Sequence, residues 1–204
     1  MIHEDDPQGR LLSDTGLVSS NVRMNYRSNS TTMSSRGLQD EPCTTSTRVI
    51  ELAIAYDSTF CAKFSTASNP EEATNNAIQT IINDVSMKYQ QIGLCTKVQI
   101  SHLEGYCIPS IDPYRELLLA SGASIDANNP GACNALSKTA NYWFNNREYV
   151  RRDAMHLFHN FQFPSSNNII GCAYLRSLCR NFGFGVDRVG YTNNGILRNV
   201  LVAQ

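Results

Sequence analysis

Arg48-Val49-Ile50-Glu51-Leu52-Ala53-Ile54-Ala55-Tyr56-Asp57 is an almost unbroken apolar run with no glycine or proline in it. Its apolar residues do not alternate with polar ones. Such a run predicts a central strand covered on both faces, the mark of a parallel sheet flanked by helices. Glu51 is the exception. A carboxylate inside such a strand needs a cation or strong donors. It is either a rim residue paired with an arginine or part of a binding site.

The segments downstream support the same class. Asn69-Pro70-Glu71-Glu72 reads as a helix start, with a cap, a proline at the first position and acids in the first turn. Ala77, Ile78, Ile81, Ile82, Val85 and Tyr89 continue it as an amphipathic helix. Lys97–Leu103 alternates Val98, Ile100 and His102 and reads as a second strand. A loop punctuated by Pro109, Pro113, Gly122 and Pro130 follows, and Pro130 opens a helix carrying Leu136, Ala140, Trp143 and Phe144. Three further strands are expected at Asp153–Phe163, Asn168–Leu175 and Phe184–Tyr191. Asn193–Gln204 then begins an apolar helix, with Ile196, Leu197, Val200 and Leu201 on one stripe. The order β-α-β-α-β-β-β-α predicts an α/β (α+β) fold, a mixed sheet with helices packed on it. No internal repeat is present.

Residues 1–46 are rich in Ser, Thr and Asn and poor in large apolar groups. That composition cannot offset the entropy of ordering, so the segment is expected to be a disordered tail or a propeptide remnant. It holds the glycosylation sequon Asn29-Ser30-Thr31. Residues 47–204 are expected to form one domain. A formal net charge of −1 gives no reason to expect nucleic acid as a partner. No apolar run approaches the roughly 20 residues needed to cross a bilayer. Met1–Asp6 has neither the basic nor the apolar region of a secretory leader.

The cysteines pull the other way. Cys43, Cys61, Cys95, Cys107, Cys133, Cys172 and Cys179 are spread through apolar segments without C-x-x-C pairs. That pattern suits disulfides in an oxidising compartment; free buried thiols are the alternative. Seven is an odd number, so one cysteine is left over. The pair His156-x-x-His159 is not a metal motif, because strand residues three apart point to opposite faces; one packed and one solvated ring is expected. His3 and His102 have no partner pattern, and no G-x-S-x-G nucleophile signature occurs.

Three stretches resemble the reprolysin (adamalysin/ADAM-like) branch of the metzincin zinc endopeptidases. Arg48-Val49-Ile50-Glu51-Leu52 is similar to the family's R-x-I-E-L opening strand. Arg152-Asp153-Ala154-Met155-His156-Leu157-Phe158 is similar to its H-D-x-A-x-L-L. Ile170-Gly171-Cys172-Ala173-Tyr174-Leu175-Arg176-Ser177-Leu178-Cys179 resembles its I-G-L-A-Y-V-G-x-x-C, with Cys172 in place of an apolar residue and Arg176 in place of Gly.

The resemblance implies a five-stranded, mostly parallel twisted sheet with an antiparallel edge strand and two large helices. It implies that polypeptide substrates lie along that edge, on Gly171, Cys172, Ala173 and Tyr174. It implies calcium ligands at Glu51 and Asp153; a salt bridge from Glu51 to Arg151 or Arg152 is the alternative. In the family, H-E-x-x-H-x-x-G-x-x-H on the last helix binds zinc and supplies the catalytic Glu. Here Gln204 falls at the first ligand position, so no catalytic residue carries over and the active-site helix is expected to be incomplete. The expectation is therefore the N-terminal part of a secreted zinc metalloendopeptidase domain, inactive as these 204 residues stand. The alternative is a non-catalytic relative that holds peptides without cutting them. The family pairing puts the partner of Cys179 beyond residue 204 and leaves the other six cysteines to pair among themselves.

Overall fold

The computed structural model describes residues 47–92, 94–122, 131–163, 170–174, 178–179 and 183–189. Strand β1, Arg48–Tyr56, runs from an exposed start into full burial from Leu52 onward. Glu51 lies where the strand enters the protein, half-buried at the rim. A short helix α1, Ser58–Cys61, follows. Helix α2 is Pro70–Gln91, and its cap is as the sequence predicts: Asn69 Oδ1 accepts from the Glu72 N–H at 3.2 Å, with Pro70 in the first turn.

Strand β2, Thr96–Gly105, pairs in parallel with β1. The register slips after Leu52: Leu52 faces Ile100, but Ala53 faces His102, so Ser101 is an extra residue on β2. This bulge breaks the expected alternation of Val98, Ile100 and His102. Val98 and Ile100 pack on one side of the sheet. His102 goes to the other, its ring edge-on to Trp143 at 6.0 Å.

The segment expected to be a loop contains a further helix α3, Pro113–Gly122. Asp112 caps it, Oδ1 accepting from the N–H groups of Tyr114 at 2.9 Å and Arg115 at 3.1 Å. Helix α4 is Gly131–Asn146; Pro130, expected to open it, lies outside the described residues. The last strands are shorter than expected: β3 is Ala154–Phe158, β4 is Gly171–Ala173 and β5 is Phe184–Asp187. The expected final helix at 193–204 and the tail at 1–46 lie outside the described residues.

The sheet order is β2-β1-β3-β5-β4, parallel throughout except for β4, which is antiparallel to β5. Period-two alternation sends Leu52, Ile54 and Tyr56 of β1 to one face, onto Ile78, Ile81, Ile82 and Val85 of α2. Ala53 and Ala55 go to the other, with Met155, Leu157 and Val186, against Tyr114, Leu118, Leu136 and Trp143 of α3 and α4. Burying each such Ile or Leu contributes about 1.5–3 kcal/mol. Gly105 ends β2 opposite Tyr56; a Cβ there would lie 2.0 Å from the Tyr56 ring, so only glycine fits.

Disulfides fasten both faces. Cys61–Cys107 ties α1 to the segment after β2. Cys133–Cys172 ties α4 to the edge strand β4. Cys95 is also disulfide-bonded. Cys179 is free and exposed, the position where the family pairing left an unpaired thiol.

Candidate functional site

The antiparallel strand β4 closes one side of the sheet, with Gly171, Cys172 and Ala173 opposite Asp187, Val186 and Gly185. The flanking bonds set its phase. The Arg188 N–H donates to the Ile170 carbonyl at 2.7 Å, and the Tyr174 N–H to the Phe184 carbonyl at 3.1 Å. In an antiparallel pair, bonded and non-bonded positions alternate. Ile170, Cys172 and Tyr174 therefore turn their backbone groups toward β5. Gly171 and Ala173 turn theirs away from β5, toward the side on which no described strand pairs. Of the four residues the sequence singled out, only these two offer edge hydrogen bonds. Cys172 acts by its side chain instead, buried and bridged to Cys133. Ala173 is exposed and Gly171 half-buried.

The sheet's N-terminal rim brings Glu51 and Asp153 together. Asp153 Oδ2 accepts from the Glu51 N–H at 2.8 Å, and the Asp153 N–H donates to the Glu51 carbonyl at 2.7 Å. The Glu51 carboxylate pairs with Arg151 Nε at 3.2 Å. The Arg151 side chain is 91% exposed, so this pair is screened and contributes little. Calcium takes six to eight oxygens. Among the described residues no group of three or more His, Cys, Asp or Glu converges. These residues alone do not form a calcium shell, and one oxygen on each carboxylate already has a protein partner. Gln204, at the implied zinc position, lies outside the described residues.

The opposite, C-terminal ends of the strands hold buried polar groups that the sequence reading passed over. Parallel sheets place ligand crevices at these ends, where chain direction reverses, here between β1 and β3. In this chain α1 fills the gap. The Thr59 hydroxyl donates to the Asp57 carboxylate and accepts from the Asn160 N–H at 2.9 Å. Asp57 Oδ1 accepts from the Phe60 N–H at 2.9 Å, and Asp112 Oδ2 from the Ser58 N–H at 2.6 Å. Burial, with a smaller push from Asp112, raises the Asp57 carboxyl to about 6.

Neither histidine of the His156-x-x-His159 pair is free in solvent. His156 on β3 bonds through Nδ1 to Asp187 Oδ2 on β5 at 2.6 Å. It sits over Gly185, where a Cβ would approach the ring to 2.7 Å. His159 is fully buried, with neither ring nitrogen hydrogen-bonded. Burial, and then the charge of Arg188, push it down to about 3, so it is neutral at physiological pH. Asp187 closes the apolar strand β5, and only the pairing of β3 with β5 reveals its contact with His156.

No family model and no curated protein matches the chain. Among solved structures, the chain is similar to one described as "Structure of a chaperone-substrate complex", at a TM-score of 0.53 and 11% identity. The match covers 78% of this chain and 24% of that one. At that identity the likeness bears on the fold alone. Among the described residues, no helix is long and apolar enough to cross a membrane.

Proposed function

We propose that this chain is the substrate-holding sheet of a zinc-dependent endopeptidase domain, and that an extended polypeptide docks as an added strand on β4. The observation that carries the proposal is the phase of β4. An antiparallel edge strand three residues long presents the Gly171 and Ala173 backbone groups outward and is anchored from behind by Cys133–Cys172. Strand addition needs an open edge held at a fixed height. The sheet order and the resemblance of Ile170–Cys179 support the protease context. The alternative is a domain that holds peptides without cutting them. The 204 residues contain no H-E-x-x-H motif, so no hydrolytic step is assigned to them.

Ala173→Pro tests the docking directly. Proline removes the N–H that points outward and requires an extended residue before it, which Cys172 already is. Labelled unfolded casein should bind the chain and survive intact with or without chelator. The variant should keep its fold and lose at least tenfold in affinity. Unchanged affinity in Ala173→Pro would remove β4 as the docking edge. Chelator-sensitive cleavage by the 204-residue chain would show a catalytic set that the sequence reading lacks.

A further inference from the structure

A second site lies away from the β4 edge, at the C-terminal end of α4. A cavity of about 380 Å³ opens there, lined by Phe144, Arg152, Phe184 and neighbouring residues of the rim. That volume is within the range of small-molecule sites. Arg152 is held in a fixed pose. Its guanidinium lies 4.9 Å from the Trp143 ring centroid and 5.3 Å from that of Phe184. Nη1 donates to the Val150 carbonyl at 2.9 Å and the Arg147 carbonyl at 3.3 Å.

These bonds occupy one side of the guanidinium only. Among the described residues, neither Nε nor Nη2 makes a hydrogen bond. Nε–H and Nη2–H are the two parallel donors that match a carboxylate. No carboxylate of the described residues pairs with Arg152, although Glu148 and Asp153 line the same cavity. Arg151, the other cation of the lining, pairs with Glu51. Partial burial lowers the Arg152 pKa, so the charge is held at a cost that a counter-ion would offset. The two lining acids oppose a dianion, and the rings of Phe144 and Phe184 favour an apolar body.

We propose that this cavity binds a small monocarboxylate carried on a planar apolar group, gripped side-on by Arg152. Trp143 is the only tryptophan of the chain, so its fluorescence reports on the site without a label. The experiment titrates the oxidised 204-residue chain with benzoate and, at matched ionic strength, with its uncharged counterpart benzamide. Benzoate should change Trp143 emission along a saturable curve, and benzamide should not. Arg152→Lys keeps the charge but loses the fork and should weaken benzoate at least tenfold. A linear, collisional response to benzoate, or equal saturation by benzamide, overturns the proposal on the wild-type chain alone, whatever the variant's folding. Full benzoate affinity in Arg152→Lys overturns it as well.

Discussion

Two buried titratable side chains pull stability in opposite directions on the acid side of neutrality. Asp57 titrates near 6 in the fold and near 3.9 when unfolded. Between those values the folded state holds a proton that the unfolded chain has released. Asp57 therefore adds stability as pH falls from 6 toward 4, and that contribution is lost as pH rises through 6. His159 does the reverse. It titrates near 3 in the fold and near 6.5 unfolded. As pH falls below 6.5 only the unfolded chain gains its proton, and stability is lost. The variants separate the two effects. Asp57→Asn keeps a side-chain oxygen to accept from the Phe60 N–H and removes the charge. Its thermal midpoint relative to wild type should be higher at pH 7.5 than at pH 4.5. His159→Phe keeps a ring against Phe163, which lies 5.6 Å away between centroids. It should lose less of its midpoint than wild type between pH 7 and pH 4.5. Parallel pH curves for either variant and wild type would show that the group does not titrate as its burial requires.

At the scale of elements, what could be read ahead depended on whether a signal was local. The α2 cap and stripe are local, and both are present at Asn69 and Ile78–Val85. Pro113 and Gly122 read as loop punctuation in the sequence, yet they bound helix α3. Pro113 is a helix opener after the Asp112 cap, and Gly122 closes the same helix. The bulge at Ser101 is a property of the β1–β2 pairing and leaves no mark in the β2 sequence. The role of Cys172 was likewise hidden, because its partner Cys133 lies on a helix 39 residues earlier. A strand of three residues has few bonds of its own, so this bridge should hold β4 in place. Cys133→Ala combined with Cys172→Ala should lower unfolding free energy by about 2–4 kcal/mol in urea titrations. Amide exchange should quicken at Gly171–Tyr174 more than in β1. Uniformly faster exchange across β1, β3 and β4 would mean that the bridge stabilises the sheet as a whole and does not specifically hold its edge.

Across the whole molecule, the helical layers are fastened to the sheet by cysteines, and the odd thiol marks where that pattern stops. The fold class followed from the doubly apolar run at Leu52–Tyr56, because burial on both faces demands a helical layer on each side. The resemblance implies that Glu51 and Asp153 share a rim, but the approach of Cys179 to Asp153 was not legible in the sequence, since the two are far apart in it. In the structure they meet: the Cys179 N–H donates to the Asp153 carbonyl at 3.0 Å. Local desolvation, then the Asp153 carboxylate, push the Cys179 thiol up, although the residue is exposed. Thiolate is the reactive form. The oxidised 204-residue chain should therefore take up iodoacetamide at Cys179 alone, slowly at pH 7 and much faster above pH 9. Asp153→Asn should speed the neutral-pH reaction by removing the repelling charge. Mass mapping that finds label on Cys61, Cys107, Cys133 or Cys172 would contradict the two bridges. Equal labelling rates in wild type and Asp153→Asn would show that the carboxylate does not restrain the thiol.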